Sequence, residues 1–295
     1  MKKLLLLLIL IITTCNCFAT NRALLIGIGQ YPKAQTGWKV IHGDADVRLL
    51  KPLLTEAGFT DIRTLVNEEA TKVAIITAFN DLIASATDGD QIYIHFSGHG
   101  QPVEDANGDE TDEDFRFDQS FVAYDAYRSS HGNKYFGENH LIDDELNPLL
   151  DQLKSKVGRE GQIFMVVDAC YSRGMERGMD PELAEIEDPD ILNSARGCGT
   201  DDAFMKSSYL ESLPKPNPFS IGTGTLTVVS ACKSDERNFE YKATDGRMYG
   251  SLSFYISTLL KSGADFSDWT KSFVSDAFKS SKIFLWQTPT IEIYR

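Results

Sequence analysis

A cysteine and a histidine each follow an apolar run in this sequence, where a nucleophile and its base could meet. His99 follows residues 92–96 and lies between two glycines, and Cys170 comes shortly after residues 162–167. A thiol attacks as the thiolate, and a neighbouring imidazole is the usual group that takes its proton. We therefore predict that Cys170 is a nucleophile and that His99 is its general acid and base.

The residues around this pair favour the same chemistry. Glycine lets the backbone approach a substrate closely, and we expect the amides of Gly100 and Cys170 to form an oxyanion hole. Asp44 and Asp168 could reach the same end of a sheet. Two carboxylates near a nucleophile would favour a cationic side chain in the substrate.

Each of these assignments has a simpler structural alternative. A buried cysteine or histidine is more often part of a core than a catalyst. Asp44 could serve only as a helix N-cap. His95 is a competing base, which we expect to lie on the face of its strand opposite Ser97. The functional interpretation depends on the coincidence of a cysteine and a histidine at the ends of apolar runs.

The elements that must position the pair are those of a mostly parallel sheet. Apolar runs predict strands at residues 23–28, 62–66, 92–96, 162–167, 225–230 and 289–294. Helical spacing of apolar residues predicts helices at residues 44–58, 71–86, 141–153, 250–260 and 269–279. Strands that alternate with helices run parallel, and ligands bind at their carboxyl ends. The predicted fold class is therefore α/β, with helices on both faces of the sheet.

Residues 101–125 form a predicted loop that is rich in aspartate and glutamate. It begins like an EF-hand, but Glu110 stands where that motif needs glycine and Arg116 where it needs a bidentate glutamate. Taken by itself, the segment is a solvated acidic loop.

Composition and charge limit the possible partners. The chain has 295 residues, 42% of them hydrophobic, which is ample for a core, and a net charge of −14. Such an acidic protein is unsuited to nucleic acid and to anionic membranes, whereas basic peptides would complement it. We expect protein or peptide substrates and a monomer.

Residues 1–19 have the plan of a secretory signal peptide, with two lysines, nine consecutive aliphatic residues and a small residue at Ala19. An uncleaved membrane anchor is the alternative, although the apolar run is about half of what a span needs. The prediction is a secreted or periplasmic protein without membrane attachment after cleavage. Three cysteines would then remain, of which Cys198 and Cys232 could pair, and an odd number leaves a free thiol.

Several motifs, taken in order, resemble those of the caspase-like cysteine peptidases, and most closely type I metacaspases and bacterial orthocaspases. They are HFSGHG at residues 95–100, EDANGDETDED at 104–114, DQSFVAYD at 118–125, LIDDEL at 141–146 and VVDACYS at 166–172. The likeness extends over residues 22–291.

The resemblance implies a three-layer caspase-haemoglobinase fold and a dyad of His99 and Cys170 that hydrolyses peptide bonds after arginine or lysine. It places Asp44, Ser97 and Asp168 in a pocket for the basic side chain. A clostripain-like peptidase is another relative with the same dyad, but it would not explain the acidic loop.

The resemblance also implies a metal site. Asp118, Asp143 and Asp144 match positions that bind activating Ca²⁺ in type I members, and Glu176 is the nearest candidate for a fourth carboxylate. The metal is not needed for the chemical step.

Self-cleavage between a large and a small portion is implied as well. The expected organisation is a signal peptide at residues 1–19 and a single peptidase domain at 20–295, with a large portion at about 20–175, a mobile or processed linker at about 176–221 and a small portion at about 222–295. The candidate cleavage sites are Arg173, Arg177, Arg196, Lys206 and Lys215. The alternative function is a catalytically silent caspase-like module that binds basic peptides or partner proteins.

Overall fold

The computed structural model describes residues 19–105, 108, 117–128, 135–170, 188–192, 194–197, 222–233, 236–264, 266–275, 278, 280–284 and 287–295. The strands are β1 (Asn21–Gly27), β2 (Asp61–Val66), β3 (Gln91–Ser97), β4 (Gly100–Glu104), β5 (Phe117–Val122), β6 (His140–Ile142), β7 (Gln162–Asp168), β8 (Thr225–Ser230), β9 (Glu240–Lys242), β10 (Met248–Gly250) and β11 (Thr290–Tyr294). The helices are α1 (Lys33–Thr36), α2 (Gly43–Glu56), α3 (Lys72–Ser85), α4 (Asp143–Val157), α5 (Pro189–Leu192), α6 (Ser251–Lys261) and α7 (Trp269–Phe273).

The central sheet has six strands in the order β11-β8-β7-β3-β1-β2. β2, β1, β3, β7 and β8 are parallel, and β11 pairs with β8 in the antiparallel sense. The register sets Ser97, the last residue of β3, opposite Asp168, the last residue of β7. Because parallel neighbours end at the same edge, the segments that carry His99 and Cys170 leave the sheet side by side.

Helices cover both faces of this sheet, since successive strand side chains point to opposite faces. On one face, Leu25 and Tyr93 pack with residues of α2, α6 and α7 in a buried apolar cluster. On the other face, Leu24 and Ile94 pack with residues of α3 and α4. The mostly parallel three-layer α/β fold that the sequence predicts is thereby confirmed.

The predicted loop at residues 101–125 is wrong in part, because β4 and β5 lie within it and form an antiparallel sheet with β6. Polar side chains fill buried positions of this small sheet, so no apolar run marks it. Oε1 of Gln101 lies 2.8 Å from Nε2 of His140, and the hydroxyl of Ser120 donates to the Gln101 carbonyl oxygen at 2.6 Å.

Several helix boundaries also differ from the prediction, and two of them are instructive. α4 begins at Asp143 rather than at Leu141, because residues 140–142 pair with β5 as a strand. α7 ends at Phe273. None of the helices among the described residues has the length and apolar character that a membrane crossing requires. The predicted signal peptide and most of the predicted linker lie outside the described residues, as do Arg173, Arg177, Cys198, Lys206 and Lys215.

Candidate active site

His99 and Cys170 occupy the loops after β3 and β7, and both are buried, with 2% and 1% of their surface exposed. The two loops are tied together by the amide of Gly98, which donates to the Asp168 carbonyl oxygen at 3.3 Å. The sheet register therefore holds the histidine and the cysteine at one edge of the fold, although they are far apart in sequence.

Two contacts of its ring and one of its backbone hold His99 in place. Its Nε2 lies 2.9 Å from the carbonyl oxygen of Lys39, and the ring stacks on Trp38 at 4.8 Å between centroids. Its backbone amide donates to the hydroxyl of Tyr31 at 3.0 Å. A carbonyl oxygen only accepts, so the neutral ring must carry its proton on Nε2.

The other ring nitrogen, Nδ1, is consequently the basic one. It is buried and has no hydrogen-bond partner in the part of the chain that the structure describes. Burial lowers the pKa of His99 to about 4, against the effect of the Lys39 carbonyl, because a charged imidazole would be poorly solvated there. The ring is therefore a neutral base at neutral pH.

The thiol of Cys170 lies between backbone and a second thiol. Its Sγ donates to the carbonyl oxygen of Glu236 at 3.4 Å, and it lies beside the thiol of Cys232, which donates to the Ala169 carbonyl oxygen at 3.8 Å. The contact with Cys170 and burial together raise the pKa of the Cys232 thiol. Neither cysteine forms a disulfide and both are buried, so Cys232 accompanies the predicted nucleophile.

An acidic pocket lies beside this pair and encloses the side chain of Arg196, which is 0% exposed. Nη2 of Arg196 lies 3.0 Å from Asp46 Oδ2 and 2.7 Å from Glu240 Oε1, and Nη1 lies 3.6 Å from Asp168 Oδ1. Nη1 also donates to the hydroxyl of Ser97 at 2.6 Å. A buried charge needs such pairing, and three carboxylates surround this one. Although burial acts to lower it, these carboxylates raise the pKa of Arg196.

Each carboxylate of the pocket is positioned by further donors. Asp168 accepts from the Ser253 amide at 2.8 Å and hydroxyl at 2.7 Å. Asp46 accepts from the Ser97 hydroxyl at 2.6 Å. Burial raises the pKa of Asp46, and the charge of Arg196 opposes that shift.

Glu240 is held by His42 as well as by Arg196. The His42 amide donates to Oε1 at 2.7 Å, and Nδ1 lies 2.6 Å from Oε2. Burial acts to raise the pKa of Glu240, but Arg196 and His42 outweigh it and the net shift is downward. The pKa of His42 is raised, chiefly by its hydrogen bond to Glu240. The pocket thus keeps a carboxylate ionised although it is buried.

The backbone of Arg196 lies across the predicted nucleophile. Its carbonyl oxygen accepts from the amide of Cys170 at 2.9 Å and from the amide of Gly100 at 3.3 Å. Its own amide donates to the Asn238 carbonyl oxygen at 3.0 Å. The two amides that are predicted to form an oxyanion hole therefore converge on one carbonyl oxygen.

Asp46, and not Asp44, belongs to this pocket, which corrects the sequence assignment. The carboxylate of Asp44 pairs with Arg48 at 2.8 Å, one helical turn along α2. Residues two apart on a helix differ by about 200° around its axis, so the two aspartates have different neighbours, and the buried Asp44 carboxylate lies against Gly29 rather than against Arg196. Asp44 makes no N-cap hydrogen bond either, because His42 occupies the N-cap position.

The structure differs from the sequence prediction at two further residues, His95 and Glu240. His95 shares a face with Ser97, since residues two apart in a strand point the same way. Both of its nitrogens are engaged, Nδ1 with the Tyr93 hydroxyl at 2.9 Å and Nε2 with the Ser253 hydroxyl at 3.0 Å. Glu240 is absent from the sequence prediction, because it lies in the three-residue strand β9 and belongs to no recognisable motif.

The three aspartates assigned to calcium lie on β5 and at the start of α4. Asp118 and Asp144 are buried. Within the described ranges no three histidine, cysteine, aspartate or glutamate side chains are grouped as a metal site requires. Calcium takes six to eight oxygen ligands, so Asp118, Asp143 and Asp144 do not by themselves fit the ion. Glu176 lies outside the described residues.

The fold and this edge define the class of protein. A mostly parallel sheet, a histidine and a cysteine after adjacent strands, and paired backbone amides beside the thiol are the parts of a caspase-like cysteine peptidase. Residues 21–176, more than half of the chain, match the family described as metacaspase, peptidase C14 domain. The chain belongs to the metacaspase family, whose members are cysteine-type endopeptidases.

Individual relatives agree with this assignment. Metacaspase-7 of Arabidopsis thaliana is 33% identical over 163 residues, which cover 52% of this chain and 35% of that protein. Metacaspase-1B of Aspergillus clavatus is 30% identical over 270 residues, covering 81% of this chain and 61% of the relative. The chain thus spans less than two thirds of the length of these relatives. A crystal structure of a Geobacter sulfurreducens protein aligns with a TM-score of 0.62 and 20% identity over 93% of each chain, a likeness in fold.

Proposed function

We propose that this chain is an active cysteine endopeptidase that hydrolyses peptide bonds after arginine, and less readily after lysine. The observation that carries the proposal is the enclosure of the Arg196 guanidinium by Asp46, Asp168 and Glu240 beside Cys170. A peptide substrate with a basic side chain would place the same group in the same pocket. The carbonyl carbon of that basic residue would then lie beside the thiol.

The state of the His99 ring supports its role as base for the thiol. Because Nε2 of His99 donates to the Lys39 carbonyl, Nδ1 is free to take the proton of Cys170. The lowered pKa of His99 keeps this nitrogen unprotonated until the reaction begins. His99 therefore acts as general base in the attack and returns the proton to the leaving amine.

The amides of Gly100 and Cys170 provide the electrostatic stabilisation. Both point at the carbonyl oxygen of Arg196 before any reaction, at 3.3 and 2.9 Å. Donors that are already oriented gain strength when that oxygen becomes negative, and one such donor contributes roughly 100- to 1000-fold in rate.

Glu240 supports the preference for arginine over lysine. Its Oε1 accepts from both Nε and Nη2 of Arg196, at 3.1 and 2.7 Å. Only a planar guanidinium presents two donors at this spacing, whereas the lysine ammonium is a single point charge on a flexible stem.

Four further properties are part of the proposal and rest on the family resemblance and the sequence. They are self-processing, stimulation by Ca²⁺, export through residues 1–19 to a secreted or periplasmic location, and a monomeric state. No step of the mechanism above passes through a metal ion.

The experiment that tests the proposal separates an active peptidase from a silent module that only binds basic peptides. The mature protein is treated with an arginyl chloromethylketone, and the labelled residue is identified by peptide mass mapping. Modification of Cys170 and not of Cys232, with loss of labelling in Asp46→Asn, is expected. Equal labelling of Cys170 and Cys232, which are both buried thiols, would contradict an activated nucleophile.

A further inference from the structure

We infer that the bond between Arg196 and Gly197 is the one that this peptidase cuts in its own chain, within the same molecule. The inference rests on the proposed function and names the bond on which it acts. Arg196 is held at its side chain, its carbonyl oxygen and its amide as a substrate residue would be, and Gly197 is held against the nucleophile.

The side chain of Arg196 is committed to the pocket. Its Nε, Nη1 and Nη2 all donate to acceptors in the site, at distances of 2.6 to 3.2 Å. Withdrawal would leave three buried carboxylates without this cation, which is unfavourable in a poorly solvated site. The segment 194–197 is therefore anchored at the cleft by the burial of a charge.

The backbone around Arg196 is tied to the segment that leads into β9. The Arg196 amide donates to the Asn238 carbonyl oxygen at 3.0 Å, and the Glu240 amide donates to the Ser194 hydroxyl at 3.0 Å. The first of these bonds joins two main chains, as in the binding of extended peptides, and the second uses a side chain. The carbonyl group that would be attacked is thus fixed in position before reaction.

Gly197 passes too close to the nucleophile for any side chain. A Cβ placed on it would lie 2.3 Å from the Cys170 carbonyl oxygen and 3.0 Å from the Cys170 Cβ. The residue after the cut must therefore be glycine for the bond to sit as it does.

Exposure alone would favour a different arginine. Arg159 is exposed in the turn after α4. Because Arg159 lies away from the cleft, it is the control for Arg196: a cut that depends on position occurs at Arg196, and one that depends on accessibility occurs at Arg159.

The covalent steps balance with water as the only co-reactant. The thiol proton of Cys170 moves to Nδ1 of His99, and the sulfur bonds to the Arg196 carbonyl carbon, whose oxygen takes the negative charge. The bond to the Gly197 nitrogen breaks as His99 returns the proton to that nitrogen. Water, deprotonated by His99, then hydrolyses the thioester, which leaves a carboxylate on Arg196 and restores the thiol.

One consequence is latency. Before the cut, Arg196 fills the pocket that a peptide substrate needs, so the uncut chain excludes other substrates. Hydrolysis of free peptides should then lag behind self-cleavage.

The test compares intact masses and new termini of the purified mature protein, Cys170→Ala and Arg159→Gln. We expect wild type and Arg159→Gln to yield fragments that end at Arg196 and begin at Gly197, while Cys170→Ala stays whole. A cut elsewhere, or an uncut chain that hydrolyses an arginyl peptide, would overturn the inference alone. Absence of both activities would overturn the proposed function and this inference with it.

A second variant avoids the loss of the buried cation that Arg196→Gln would cause. Gly197→Ala keeps Arg196 but introduces the clashing Cβ, and we expect self-cleavage at least about tenfold slower, with circular dichroism confirming the fold. Cleavage at the wild-type rate would contradict the positioning.

Dilution tests whether the cut occurs within one molecule. A half-life of the uncut chain that is unchanged by tenfold dilution is expected for a cut within one molecule. A half-life that lengthens with dilution would show that one molecule cuts another and would overturn that part of the inference.

Discussion

Glu240 receives two nitrogens of Arg196 on a single oxygen, Nε at 3.1 Å and Nη2 at 2.7 Å from Oε1. His42 holds the same carboxylate from the other side, with Nδ1 at 2.6 Å from Oε2. The carboxylate is therefore held through both of its oxygens, and one of them contacts the guanidinium. Glu240 lies outside every sequence motif, yet this contact supports the proposed preference for arginine.

Glu240→Gln should reduce the discrimination between arginine and lysine. The neutral amide loses the charge-assisted pair, which arginine uses with two donors and lysine cannot, so the ratio of kcat/KM for arginyl over lysyl peptides should fall about tenfold. Matched fluorogenic peptides measure the ratio. Glu56→Gln, at the exposed end of α2, is the control. An unchanged ratio in Glu240→Gln would refute the role of the contact between Glu240 and two nitrogens of the guanidinium.

Asp46→Asn and Asp44→Asn form a matched pair on one helix turn. Both aspartates are buried, but Asp46 lies beside Ser97 and Arg196, whereas Asp44 pairs with Arg48, whose side chain is 64% exposed. Removing one partner of a buried charge pair costs about 2 kcal/mol or more, so Asp46→Asn should lower kcat/KM for an arginyl peptide at least about 30-fold. Asp44→Asn should stay within about twofold. The reverse order would restore the original sequence assignment.

The sequence predicts the sheet and the position of the dyad because both are carried by long apolar runs. β3 and β7 are buried runs that end at Ser97 and Asp168, and their parallel pairing brings the two loops with His99 and Cys170 to one edge. The pocket is harder to predict, because Asp44 and Asp46 are the same residue type two positions apart. Only their positions around the axis of α2 decide which of them contacts Arg196. Glu240 and Arg196 come from segments without periodicity, and their roles depend on long-range contacts alone. The polar interior of β4, β5 and β6 hides those strands for the same reason.

Buried histidines should make folding stability depend on pH. Burial lowers the pKa of His95 to about 4, below an unfolded value of about 6.5. Between these values the unfolded chain binds more protons, so this group stabilises less as pH falls from about 6.5 towards 4. His95→Gln should therefore lose less stability than wild type between pH 7 and pH 5, measured as the urea midpoint. Comparing the variant with wild type removes the contribution of titrating groups that are distant from His95.

His42 offers the control of opposite sign. Its pKa is raised, mainly by the hydrogen bond to Glu240, so its contribution to stability is present at low pH and is lost as pH rises through the folded pKa. His42→Gln should make the decline between pH 7 and pH 5 steeper. Identical pH dependence of stability in wild type, His95→Gln and His42→Gln would contradict the lowered pKa of His95 and the raised pKa of His42.

Calcium stimulation is tested by chelation. We expect EDTA to lower the rate of arginyl peptide hydrolysis and added Ca²⁺ to restore it, with Asp144→Ala losing the response. Ligands beyond Asp118, Asp143 and Asp144 are needed, because these three do not form a metal cluster among the described residues. Equal rates with and without chelator would remove the metal from the proposal.

The central claim is that Cys170 attacks a bond next to a basic residue held in the acidic pocket. The most direct measurement is the hydrolysis of a fluorogenic arginyl peptide by the mature wild type, Cys170→Ala and Cys232→Ala. We predict loss of at least about 1000-fold in kcat/KM for Cys170→Ala, as expected for removal of a nucleophile, and retention of most activity in Cys232→Ala. Wild-type hydrolysis by Cys170→Ala would contradict the mechanism.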